Sequence, residues 1–193
     1  MAKKERVGQR SDAPESTRKE PNPAAAGLVT ANSDDVIVGR SVTINSPRQE
    51  LYDFWRDFRN LPLFMENIDS VVLVDATRSH WKVKGPANSS LEWDSLLTED
   101  SPGEVIAWTS AEGASVPNSG RIEFKDSSNG RGTIVTATIS YDPPGSKLGE
   151  LIAKMFGTEP KIQARRDLRR FKQLMETGEL PNSQPPAAAP RGN

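Results

Sequence analysis

His80 is the chain's one histidine, and histidine is the natural proton-transfer side chain near neutral pH. It alternates with Trp81 in "SHWKVKG", so the two point to opposite faces of an extended segment. No second histidine and no cysteine stands by to complete a metal site or a nucleophilic triad. The absence of cysteine also excludes disulfides, thiolate chemistry and cysteine-based zinc sites. Glu92, Asp94, Glu99, Asp100 and Glu104 gather in sequence. Glu92 and Asp94 fall on the polar parity of their strand, the others in or beside a turn, and the spacing is not that of a calcium loop. They read as a solvated face. No catalytic residues, metal site or cofactor are therefore expected.

The inward-facing set is different. Trp81 and Val83, then Leu91, Trp93, Ser95 and Leu97, then Ile106 and Trp108 each recur in steps of two. Such alternation marks strands with one covered face. Trp81, Trp93 and Trp108 are either packed core or a pocket wall whose indole N–H groups offer a ligand a polar handle. Asn118 is in phase with Gly120, Ile122 and Phe124, so its amide faces the apolar side. It either caps a turn after Pro117 or anchors a ligand carbonyl, since a buried amide must be hydrogen-bonded. Arg40 shares parity with Val38 and Val42, and would require a carboxylate partner or an anionic ligand group. The inward polar residues (Arg40, Ser95, Asn118 and Tyr141) include no carboxylate and no histidine, which argues against acid–base catalysis inside the fold.

"RRDLRRFK" is the strong charge run. Arg165 with Arg169, and Arg166 with Arg170, repeat at helical spacing opposite Leu168 and Phe171. A basic helix face can touch anionic lipid, so transient membrane contact through these four arginines stays open. It can equally serve the helix macrodipole and pair with acidic strands. The polar face lacks stacking aromatics, and the whole chain carries 25 basic and 26 acidic residues, so no nucleic-acid partner is expected.

Three regions must position these groups. Residues 1–33 and 179–193 are rich in charge, Pro, Ala and Ser with few large apolar side chains, and are expected to be disordered tails. Residues 34–178 form one domain. It begins with the strand "VIVGRSVTI" (36–44). "NSPRQELYDFWRDF" follows as a helix with Ser46 as N-cap, Pro47 at its first position, and Leu51, Phe54, Trp55 and Phe58 on its apolar face. "RNLPLFM" adds a second short helix broken by Pro62. Strands are expected near 68–76, 79–85, 90–99, 104–110, 118–125 and 132–141, separated by turn-rich segments. A long helix should run from Ser146 to Thr177, kinked at Gly157 and Pro160. The fold class is α+β: a curved, seven-stranded antiparallel sheet wrapped round the C-terminal helix, with two short helices after the first strand. Where sheet and helix do not close on each other, a cavity remains.

This arrangement resembles the START-like, helix-grip superfamily, and within it the polyketide cyclase/dehydrase and lipid-transport branch. The blocks that carry the likeness are "GRSVTINSPRQELYDFWRDFRNLPLFM", "HWKVKGP", "LEWDSLLTEDSPGEVIAWTS", "VPNSGRIEF", "YDPPG" and "DLRRFKQLMETGE", spanning about residues 36–178. The resemblance implies a deep apolar cavity under the long helix that takes lipids, sterols, quinones or polyketides, and in a minority of members cyclisation chemistry. The expected ligand contacts are Arg40, Trp81, Trp93, Trp108, Asn118 and Tyr141 from the sheet, with Ile152, Met155 and Phe156 from the helix. The segment Leu148–Phe156 is expected to act as a lid. The expected function is binding of a hydrophobic small molecule by a cytoplasmic monomer or weak dimer, with two alternatives: a polyketide aromatase/cyclase, or a stress or membrane-associated adaptor with a filled core. The basic start lacks a following apolar run, so no secretory leader is expected, and no run of about 18 apolar residues suggests a membrane span.

Overall fold

A computed structural model of the chain describes residues 36–85, 89–141 and 160–179. The alternation that defined the sheet is reproduced closely. Seven strands lie in the order β1-β7-β6-β5-β4-β3-β2: β1 Val36–Ile44, β2 Ile68–Leu73, β3 Arg78–Lys84, β4 Ser90–Ser101, β5 Val105–Ser110, β6 Asn118–Asp126 and β7 Thr133–Tyr141. Every pairing is antiparallel. The long connection from β1 to β2 carries α1 (Arg48–Arg56), a 3-10 turn (Phe58–Asn60) and α2 (Leu61–Phe64). The described part of the C-terminal helix, α3, is Pro160–Thr177. The expected stretch from Ser146 to Glu159, with Ile152, Met155, Phe156 and the Leu148–Phe156 lid, lies outside the described residues, as do both tails.

Three local expectations are corrected. Ser46 does not cap α1. Pro47 occupies the N-cap position in extended geometry, and Ser46 sits one residue earlier, its carbonyl accepting from Thr133 Oγ1 at 2.8 Å. Pro62 does not break α2 but lies in its first turn, where a missing N–H leaves no intrahelical bond unmade. β2 ends at Leu73 rather than near 76. There the Asp75 carboxylate accepts from the Thr77 N–H (2.7 Å), the Thr77 hydroxyl (3.0 Å) and the Arg78 N–H (2.7 Å), closing a tight turn.

Curvature comes from a register shift in β4 between Leu97 and Glu99, against Trp108 and Ala107 of β5. A bulge of this kind bends a strand and increases its twist. The concave face then receives α1, α2 and α3 through an aromatic knot. Trp55 meets Phe171 edge-on at 4.8 Å between ring centroids, Phe64 lies 4.8 Å from Phe171, and Trp55 lies 5.1 Å from Phe64. All three are fully buried. Outside this knot, α1 is clipped to the end of β4. Tyr52 donates to the Asp100 carboxylate and Arg56 Nε bonds it at 2.8 Å. Desolvation, followed by that hydrogen bond, pushes the Tyr52 phenol up to about 12.

Candidate functional site

Away from the knot, α3 and the sheet do not close, and a cavity of about 110 Å³ remains between them. Its sheet wall is made of Trp81, Val83, Trp93, Trp108, Ile122, Ala137 and Ile139. Trp55, Leu61, Met65 and Ile68 close it from the α1–β2 connection, and Gln163, Ala164, Asp167 and Leu168 from α3. Trp81 stands at the centre of the sheet wall. It stacks on Trp93 at 6.3 Å and 16° and on Trp108 at 5.9 Å and 22°. Phe58 backs both Trp81 (5.6 Å) and Trp108 (5.8 Å). Gly120 of β6, opposite Trp108 in register, supplies the space for that indole: a Cβ there would overlap the ring.

Two of the three indole N–H groups are taken up within the sheet and leave a ligand no polar handle. Trp81 Nε1 donates to Ser79 Oγ at 2.8 Å, and Trp93 Nε1 donates to Ser95 Oγ at 3.2 Å. Each serine lies two residues along its own strand, hence on the same face, and Ser79 pairs with Ser95 across the ladder just as Trp81 pairs with Trp93. Both indoles are thereby satisfied within the sheet, and what they offer the cavity is ring surface. By contrast, the buried Trp55 Nε1 has no partner among the described residues.

Asn118 lines the cavity, as its parity requires. Its Nδ2 donates to the Val116 carbonyl at 2.8 Å, so the amide closes the turn after Pro117 and stands in the wall at once. Tyr141 ends β7 opposite Asn118 in register, and its side chain lies outside what is described. Arg40 shares the inner face by register, opposite Ala137, but is not part of the cavity wall. Its guanidinium turns back to the Gly39 carbonyl at 2.7 Å, a course open to a long side chain on an edge strand.

The main departure from the sequence reading is Asp167. No inward carboxyl was expected, because the inward set was drawn from the strands, and α3 supplies one. Gln163 Nε2 donates to Asp167 Oδ1 at 2.8 Å. Burial against the apolar wall pushes this carboxyl up to about 7; the Gln163 bond opposes the rise, the Glu66 charge adds to it, and Arg170 and Arg166 oppose it. Its signal was present in the sequence, since Asp167 falls on the same helical stripe as Gln163, Ala164 and Phe171. Of the four arginines, Arg165, Arg166 and Arg169 are exposed, whereas Arg170 bonds Glu66 at 2.6 Å. That is the structural pairing weighed against membrane contact.

On the outer face, His80 is half exposed. Its Nδ1 lies 2.8 Å from Asp94 Oδ1 and its Nε2 3.5 Å from Glu92 Oε2. The Asp94 bond is the main cause that raises its pKa. The sheet separates it from the cavity, whose wall does not include it. Among the described residues no group of His, Asp or Glu forms a metal site.

Fold and site together define a helix-grip protein: a curled antiparallel sheet closed by a C-terminal helix over an apolar cavity. The chain belongs to the polyketide cyclase / dehydrase and lipid transport family, whose sequence pattern matches residues 44–169. It is 38% identical to DR_A0006 of Deinococcus radiodurans, whose crystal structure superposes with a TM-score of 0.62 over 75% of this chain and all of that one. An uncharacterized 17.2 kDa protein of Streptomyces lincolnensis is 27% identical over 72% of this chain and 89% of its own length. The di-domain ARO/CYC StfQ, from the steffimycin biosynthetic pathway, shares the fold at 13% identity and a TM-score of 0.54, over 72% of this chain and 49% of that one. No helix among the described residues is long and apolar enough to cross a membrane.

Proposed function

We propose that this protein binds a hydrophobic small molecule, such as a lipid, quinone or polyketide, in the cavity beneath α3, and acts by sequestering or carrying it. The observation that supports this best is the stack of Trp81, Trp93 and Trp108. Three large rings line open space instead of filling it, and two of them have their only polar atoms already bonded to serines. An apolar wall with a few placed polar groups is the usual design of a small-molecule site. A cavity at this position also counts against the adaptor with a filled core. The absence of cysteine and the balanced charge fit a cytoplasmic setting. The test is native mass spectrometry of the freshly purified protein, followed by solvent extraction and identification of what it carries. A co-purifying apolar compound that quenches tryptophan fluorescence on re-addition is the expected result; an empty protein whose fluorescence no apolar compound alters would refute the reading.

A second reading, an aromatase or cyclase acting on a polyketide-like substrate, is favoured by one observation. Asp167 places a carboxyl with a pKa of about 7 in the cavity wall, in the range suited to proton transfer at neutral pH. Turnover of a poly-β-keto thioester mimic by the wild type, lost in Asp167→Asn, would decide for it.

A further inference from the structure

Asp167 is the one carboxyl group in the cavity wall among the described residues. It is flanked on α3 by Ala164 and Leu168, which also face the cavity. The bond from Gln163 occupies Oδ1 and leaves Oδ2 to carry a proton. The rest of the wall is mostly indole and aliphatic surface, with Asn67, Asn118 and Gln163 as its uncharged polar side chains among the described residues. In such surroundings a neutral carboxylic acid is favoured over a carboxylate. No Lys, Arg or His belongs to the wall among the described residues. The charged groups that reach Asp167 are Glu66, from the turn after α2, and Arg170 and Arg166 on its own helix. Arg170 is committed to Glu66, and Arg166 is exposed to water. β1, on which α3 packs, brings Arg40, whose guanidinium is held on Gly39.

We infer that Asp167 is the polar anchor of the cavity: a neutral carboxylic acid, oriented by Gln163, that donates a hydrogen bond from Oδ2 to a carbonyl or hydroxyl oxygen of an uncharged apolar ligand. The inference rests on the cavity being a binding site, and it narrows the ligand class. A fatty-acid or phosphate head group finds no cation in the described wall and is repelled by Asp167 once ionised. A quinone, ketone or alcohol finds a donor. Because the donor is a titratable proton, affinity for such ligands falls as pH rises through about 7, whereas affinity for a pure hydrocarbon does not.

Equilibrium dialysis with three probes of similar shape tests this: naphthoquinone (uncharged, two carbonyls), naphthalene (no polar atom) and naphthoate (an anion). Wild-type protein should bind naphthoquinone about fivefold more weakly at about pH 8.5 than at about pH 5.5, the worth of one hydrogen bond. Naphthalene should be indifferent to pH, and naphthoate should bind worst at both. Asp167→Asn, which keeps a donor but cannot ionise, should abolish the pH dependence. Asp167→Leu should erase the advantage of the quinone over the hydrocarbon. Naphthoquinone and naphthalene bound alike, unaffected by pH, would overturn the anchor and leave the binding function standing; so would naphthoate bound more tightly than naphthoquinone. If none of the three binds, the binding function falls and the anchor with it.

Discussion

Replacing Gly120 with alanine puts a methyl group where the Trp108 indole now lies. The new Cβ would fall closest to Cζ2 of that ring and 2.6 Å from Cε2 and Cη2. Two carbons settle at about 3.5–4.0 Å, so the ring must retreat by about 1.5 Å. Trp81 is stacked on one side at 5.9 Å and Phe58 packs edge-on at 5.8 Å, which leaves the cavity as the free direction. Gly120 is not among the glycines with positive φ, so alanine brings no backbone penalty. It even restricts the unfolded chain, worth about 0.4–1 kcal/mol in favour of folding. Overpacking of a well-filled site costs about 1–3 kcal/mol, and the balance is a loss of about 1–2 kcal/mol. Urea denaturation measures that loss, and dialysis against naphthalene measures the cavity, which should bind more weakly as the indole intrudes. Adding Trp108→Phe removes the offending ring and should recover much of the stability, a non-additive result expected only for groups in contact. A Gly120→Ala protein that is more stable than wild type, with unaltered naphthalene binding, would refute the reasoning.

Three further predictions concern groups around the two faces of the sheet. Asp167 has a folded pKa of about 7 against an ordinary 3.8, so the folded state holds a proton that the unfolded state has released. Stability therefore falls as pH rises from about 4 to about 7, by at most about 4 kcal/mol. Asp167→Asn should lack that slope and exceed the wild type most at about pH 8.5, as read by urea midpoints across pH. His80 gives a slope of the same sign, its pKa being raised chiefly by Asp94. Its stabilisation is complete below the unfolded value and disappears as pH rises through the folded one, so His80→Ala should be less stable than wild type in acid and indistinguishable in mild alkali. Ser79→Ala strands the Trp81 N–H in the sheet and should cost about 1–3 kcal/mol, with a shift in tryptophan emission; Ser79→Thr, which keeps the hydroxyl, should cost less.

The strands were legible because period-2 alternation is a local property. All seven can be read to within a few residues, and the inward parity of Trp81, Trp93, Trp108 and Asn118 follows from it. Parity says which face a residue is on, not where on that face the cavity lies. That is why Arg40 could be placed inward by alternation yet stand outside the wall. The indole–serine bonds were readable in principle, since Ser79 and Ser95 share parity with the tryptophans two residues away, but the partner of a polar group depends on rotamer as well as spacing. Asp167 escaped for a different reason. Within "RRDLRRFK" the arginines set the apparent pattern, and only a helical wheel centred on Leu168 and Phe171 puts Asp167 beside Ala164 and Gln163. Trp55 was assigned to the apolar face of α1, correctly, but a residue reaching from that helix to the cavity reflects how α1 is tilted on the sheet, which no local pattern encodes.

The Ser79–Ser95 and Trp81–Trp93 pairs make a square of four side chains, locked by two hydrogen bonds and one ring stack. The rotamers of both indoles are settled before any ligand arrives, so binding against them forfeits little side-chain freedom. The opposite wall is of another kind. Met65 stands at the end of α2 and Gln163 and Leu168 on α3, and each has two or more rotatable bonds. One wall is thus a fixed template and the other a compliant one. A change of guest is accommodated by the helices, while the indole wall keeps its shape. Selection for a new ligand would accordingly act first on Met65, Gln163 and Leu168, and the tryptophans would persist through it as the shared floor on which different guests are laid.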